Sequence, residues 1–229
     1  MWTIAEIKER GKAAFKGNYW LCVLMAFLMT IFTTGASAAT SRQTQEIDVQ
    51  GAFNNMNPEQ QMAVVTVLAG AVGVAFVISL LIRVFLANPI NVGGNAFFMS
   101  NVEEPPAPFG MIKLGFQNYW HNFVTLFLRD LYLVLWTLLL IVPGIIKAYS
   151  YRMVPYILAD EPELSANEVI TKSREMMDGN KWQAFLLDLS FIGWILLGIL
   201  TFGLGMFFWT SPYMYNANAA LYLKLRDEA

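Results

Sequence analysis

Six charged side chains lie inside runs that are otherwise apolar: Arg83, Arg129, Asp130, Lys147, Arg152 and Asp188. If those runs cross a bilayer, each charge costs ~2.5–3.5 kcal/mol at mid-membrane, so each needs a partner or a task. Two chemistries fit. Opposite charges can pair and fix helix register, or they can line a polar path for a small solute or ion. A helix entering at Tyr119 carries Asp130 roughly 16 Å deep, and Arg152, on an element returning from Pro143, lies about 13 Å from the other face. Those depths nearly coincide in a ~30 Å core, which predicts an Asp130–Arg152 pair. The path reading adds Asp188 and Lys147 to it. Arg83 has the reach to snorkel toward headgroups.

Other reactive residue types are sparse. The single histidine, His121, follows Trp120 and reads as an interfacial side chain. No HExxH, CxxC or GxSxG occurs, so zinc proteolysis and elbow-type acyl transfer lack their residues. Asp160, Glu161 and Glu163 sit beside Pro162 ahead of Ser165; carboxylates there can hold a cation, but a solvated turn is the simpler reading. Neither glycine-rich phosphate patterns nor a basic stripe for nucleic acid are present. No catalytic residue, cofactor or metal is expected. The one cysteine, Cys22, lies in an apolar run and reads as buried filler.

The elements that must position these charges announce themselves by composition. The 229 residues are 56% hydrophobic and 14% charged, with mean hydropathy +0.47, which places the chain among membrane proteins. Apolar stretches at residues 19–39, 62–87, 119–142, 143–159, 184–202 and 205–223 approach the ~20 residues a spanning helix requires, and predict about six transmembrane helices. Lys8, Arg10, Lys12, Lys16, Lys113, Lys172, Arg174, Lys181, Lys224 and Arg226 fall on one side of such an alternation. The loop 41–60 on the other side has only Arg42, so it should be external and both termini cytoplasmic. A basic start, an apolar run and Ala36-Ser37-Ala38 also resemble a cleaved secretory signal, but Glu6 and Glu9 fit a folded amphipathic helix better.

Repetition gives the architecture. KGNYW (16–20), QNYW (117–120) and GNKW (179–182) each precede an apolar run. Thr3-x-x-Glu6 and Ser165-x-x-Glu168 are capping boxes set 15 residues before Asn18 (18 − 3) and Asn180 (180 − 165). Between box and asparagine, Ile4, Ile7, Gly11, Ala14 and Phe15 share a helical face, as do Val169, Ile170, Ser173, Met176 and Met177. Such helices are expected in the headgroup plane. Gly17-Asn18 and Gly179-Asn180 should end them in the left-handed conformation, with an indole anchoring each turn. Asn18 with Trp20, Asn118 with Trp120, and Asn180 with Trp182 are thus interfacial elbows. A second joint recurs at Pro89, Pro143 and Pro212, where a helix should bend or restart. The expected fold is all-α and polytopic: one integral membrane domain, 1–229, in three pseudo-repeated units (1–102, 103–161 and 162–229). Each opens with an amphipathic interfacial helix, and the units are related by a threefold axis along the membrane normal.

GNYW after an amphipathic start, IVPGIIKAYSYRMVPYILAD (141–160) and LSFIGWILLGILTFGLG (189–205), followed by Pro212-Tyr213 and an Ala-rich helix, resemble a bacterial integral-membrane family of unknown function, domain-of-unknown-function family nine-seven-five, over essentially the whole chain. The chain is more loosely similar in architecture to the membrane part of some glycerophosphodiester phosphodiesterases. The first resemblance implies a polytopic protein of a Gram-positive cytoplasmic membrane and supplies no activity. The expected function is therefore non-enzymatic: an accessory, scaffold or immunity-type factor acting with the lipid bilayer or another membrane protein. A small-solute transporter or channel using Asp130, Arg152 and Asp188 is the alternative, and a lipid-acting enzyme the weaker one.

Overall fold

Residues 2–38 and 53–228 are described by a computed structural model of the chain; most of the predicted external loop, 41–60, lies outside them. Every described element is helical. Helices α1 (Ile4–Gly17), α2 (Tyr19–Ala38), α3 (Pro58–Ile82) and α4 (Asn88–Glu103) are followed by a 3₁₀ segment, Phe109–Phe116. Then come α5 (Tyr119–Leu139), α6 (Ile141–Ser150), α7 (Val154–Asp160), α8 (Ala166–Met176), α9 (Lys181–Leu189), α10 (Ile192–Leu200) and α11 (Ser211–Glu228).

Among the described residues, three segments are long and apolar enough to cross a membrane: Pro58–Ser79, Tyr119–Leu139 and Lys181–Leu200. The pair Ile4–Gly17 and Tyr19–Phe32, bent by 106°, makes a fourth if taken as one span. Val67 and Phe76 of α3 are about two-thirds exposed, and apolar side chains facing outward all round a helix suit only a lipid solvent. Two of the six apolar runs turn out differently from the expected spans. Run 143–159 breaks into α6 and α7 at a turn, Tyr151–Met153. Run 205–223 becomes a π-helical turn, Met206–Thr210, and then α11, whose Asn216, Ala217, Ala219, Ala220, Leu221, Tyr222 and Leu223 are all buried. Both runs are less apolar than the three candidate spans, because Lys147 and Arg152 interrupt the first and Asn216 and Asn218 the second.

The core is built on α4, α7 and α11, each opening with a proline in its first turn: Pro89, Pro155 and Pro212. Proline suits that position because its missing N–H would find no partner there anyway. Pro143 lies in the first turn of α6, where a helix restarts after the extended Leu140 as expected, while the buried helix α7 opens on Pro155. Tyr156 stacks on Tyr222 at 5.4 Å and Phe98 on Tyr215 at 5.2 Å, interlocking the three helices. Their C-terminal ends are tied by one guanidinium. Arg226 of α11 reaches Glu103 of α4 at 2.7 Å and Asp160 of α7 at 3.2 Å, and the Tyr222 hydroxyl donates to Asp160 at 2.8 Å.

Two of these helices are entered through π-helical turns, Arg83–Ala87 and Met206–Thr210. Within a continuing helix a proline cannot donate to the carbonyl four residues back, and its ring collides with it; a wider turn relieves the collision. The carbonyl freed by Pro212 is that of Phe208, and the Tyr19 hydroxyl donates to it at 3.0 Å. Tyr19, in the first turn of α2, thus completes the turn that opens α11.

Around this core lie the amphipathic helices. Thr3 accepts from the Glu6 amide at 3.2 Å, while the Glu6 carboxylate faces Lys224 at 3.4 Å, so only half of the first capping box forms. In the second, both halves form, with the Ser165 amide donating to Glu168 at 2.8 Å. Ile7, Gly11, Ala14 and Phe15 of α1 are buried, as are Val169, Ile170, Ser173 and Met176 of α8. These faces lie on protein. A Cβ built on Gly11 would come within 2.7 Å of the Ala217 backbone, so α1 packs directly on α11.

Candidate functional site

Arg152 stands in the turn between α6 and α7, and Asp188 in the last turn of α9. Arg152 Nη1 and Nη2 donate to Asp188 Oδ2 and Oδ1, each at 2.7 Å. This fork geometry matches a planar guanidinium to a carboxylate. Nη2 also donates to Asn218 Oδ1 of α11 at 2.6 Å, and the Tyr149 hydroxyl donates to Asp188 Oδ2 at 2.9 Å. Four segments thus meet at one ion pair whose side chains are 16% and 33% exposed.

The Asp130–Arg152 pair expected from depth does not form. Asp130 takes two hydrogen bonds from its own neighbour Arg129, at 2.9 Å from Nε and 2.7 Å from Nη2. The depth estimate assumed a straight return from Pro143; the break at Tyr151–Met153 instead turns Arg152 toward α9. Lys147 lies over the Trp136 ring at 4.8 Å, a cation–π contact, apart from the Arg152 pair. Of the four residues predicted for a polar site, then, Arg152 and Asp188 meet, while Asp130 and Lys147 are placed elsewhere.

At the three elbows the asparagine carbonyl accepts from the amide four residues on, in the first turn of the following helix: Cys22 to Asn18 at 3.0 Å, Asn122 to Asn118 at 3.0 Å, and Ala184 to Asn180 at 2.9 Å. Trp20, Trp120 and Trp182 are 73%, 71% and 66% exposed, so all three indoles face outward. The left-handed turn is distributed differently from expectation. It falls on Gly179 (φ 73°) in the third copy and on Asn118 itself (φ 50°) in the second. In the first, Gly17 stays helical and Asn18 has φ −142°, because its amide is committed inward, donating to Asn101 Oδ1 at 2.9 Å and the Ala107 carbonyl at 3.0 Å.

That commitment reveals a polar knot the sequence reading did not single out. Asn101 and Asn216 are wholly buried. Asn101 Nδ2 lies 3.0 Å from the Ala14 carbonyl and 3.0 Å from Asn216 Oδ1, and the Asn101 and Asn216 amides reach Cys22 Sγ at 3.3 and 3.4 Å. Cys22 is thus buried, as expected, but as an acceptor.

The acidic turn is also structural. Asp160 holds Arg226 and Tyr222, and Glu161 takes Lys172 at 2.5 Å. Burial opposes the Arg226 charge, but hydrogen bonds to Glu103 and Asp160 raise its pKa above the ordinary arginine value. The Ser165 hydroxyl and amide lower that of Glu168.

No curated protein and no solved structure matches the chain, and the looser likeness to glycerophosphodiester phosphodiesterases has no support. The family match is narrower than a whole-chain resemblance. Residues 138–229, which contain Arg152, Asp188, Asn216 and Arg226, carry the pattern of the family described as protein of unknown function (DUF975).

Proposed function

We propose that the chain is a non-enzymatic integral protein of a bacterial plasma membrane, serving as an accessory, scaffold or immunity-type factor for another membrane component. In this reading three parallel units, 1–102, 103–161 and 162–229, enter and leave on one side of the membrane, with both termini cytoplasmic. The observation that carries it is the filled centre. Where a carrier would place a path, α4, α7 and α11 interlock through buried aromatic, alanine and asparagine side chains. Support for the repeat comes from the three shared elbows, the three proline-opened helices and the Arg226 tie that gathers their C-terminal ends.

A solute path remains the second reading, because the Arg152–Asp188 pair keeps part of its surface exposed. Reconstitution into sealed liposomes loaded with a pH dye and a potassium dye decides between the two. A scaffold leaves the leak rate at that of empty vesicles. A leak that disappears in Asp188→Asn would overturn the scaffold reading in favour of the path.

A further inference from the structure

Lys147, Arg174 and Lys181, from α6, α8 and the start of α9, converge on a cleft of about 500 Å³. Its walls also carry Ser150, Thr171, Glu175 and Asp178. The Lys147 ammonium is repelled by both Arg174 and Lys181. Only Lys181 has an acidic partner, Asp178 at 2.9 Å, and that carboxylate is 84% exposed. Among the described residues Arg174 makes no ion pair, and Lys147 makes only its contact with the Trp136 ring. Against these three cations the lining sets two carboxylates, Asp178 on Lys181 and Glu175, which leaves the recess one positive charge in excess for an anion to join.

The surroundings say which anion. Trp182, next to Lys181, is exposed and stacks on Phe185 at 5.3 Å, and Trp136, under Lys147, is partly exposed. Beyond them Leu189 and Ile192 continue an exposed apolar face along the α9–α10 span. A cationic recess whose Lys147 sits on one indole and whose Lys181 precedes another at the start of the apolar α9–α10 span fits a phosphodiester head with its acyl chains on that span.

We propose that the Lys147–Arg174–Lys181 cleft binds the phosphate of an anionic phospholipid. The proposal deepens the accessory-factor reading on its lipid side and rests on the membrane reading alone; whether the protein scaffolds or conducts does not enter it.

The test is thermal unfolding of the purified chain in nanodiscs of phosphatidylcholine, with or without one-fifth phosphatidylglycerol, and in phosphatidylcholine with added inorganic phosphate. The expected result is stabilisation by phosphatidylglycerol that exceeds the phosphate effect. Lys147→Gln with Arg174→Gln should lose it, measured against the variant's own unfolding in pure phosphatidylcholine because the Trp136 contact of Lys147 goes with it. Competition against a spin-labelled phosphatidylglycerol should weaken roughly fivefold per cation removed. If Lys147→Gln folds poorly, Arg174→Gln alone, at an exposed position, carries the comparison. Equal response to both lipids, or stabilisation undiminished in the variants, overturns the proposal; inorganic phosphate matching the lipid overturns its lipid part. None of these failures bears on the leak measurement above.

Discussion

Cutting the Arg152–Asp188 pair one side at a time tests whether it holds the fold. Asp188→Leu leaves Arg152 with Asn218 and the Tyr149 ring; Arg152→Met leaves Asp188 with the Tyr149 hydroxyl alone. Removing one partner of a fully buried pair costs about 3–5 kcal/mol, whereas exposed pairs are worth about 0–1. Exposures of 16% and 33% lie between these limits, so each single change should cost about 2 kcal/mol. The double change strands no charge and should cost about 1 kcal/mol, giving a coupling near 3 kcal/mol. The assay is unfolding of the purified protein by denaturing detergent, followed by tryptophan fluorescence, for all four chains of the cycle. Additivity within about 0.5 kcal/mol would falsify a register role for the pair. A stable Asp188→Leu chain would do so at once.

Three further outcomes follow from packing and capping. Gly11→Ala should destabilise by about 1–3 kcal/mol in the same assay, because its methyl meets the Ala217 backbone, even though alanine favours the helix by about 1 kcal/mol; Gly73→Ala, which meets nothing, should be neutral or better. Tyr19→Phe should cost about 1 kcal/mol by orphaning the Phe208 carbonyl, and no change would show that another donor replaces it. The Glu168 carboxylate has a lowered folded pKa, so its contribution is present above its unfolded value and lost as pH falls through the folded one. Amide protection at the start of α8 should therefore drop below the usual carboxylate range, and Ser165→Ala should flatten that dependence.

What the sequence revealed was local. Thr3 and Ser165 cap because a side-chain oxygen three residues before a helical amide can do little else. The faces of α1 and α8 followed from helical period, and the elbows from an asparagine beside an outward indole. Partners distant in sequence were not legible. Arg152 chose Asp188 over Asp130 because a three-residue turn re-aimed it, and no periodicity records such a turn. Asn101 and Asn216 looked like ordinary polar residues on Ala- and Phe-rich helices; only their meeting, across 115 positions, makes them a knot. Counting apolar letters treated α3 and α11 alike, although Tyr213, Tyr215, Asn216 and Asn218 make α11 far less apolar than the exposed α3.

The enclosed position of α11 bears on how the molecule is made. Among the described segments it leaves the ribosome last, yet Ala217 seats α1, Asn216 answers Asn101 and Arg226 gathers two earlier carboxylates. A chain stopped before Ser211 therefore lacks the backbone on which Gly11 rests, the Asn216 side of the buried asparagine pair and the guanidinium shared by Glu103 and Asp160.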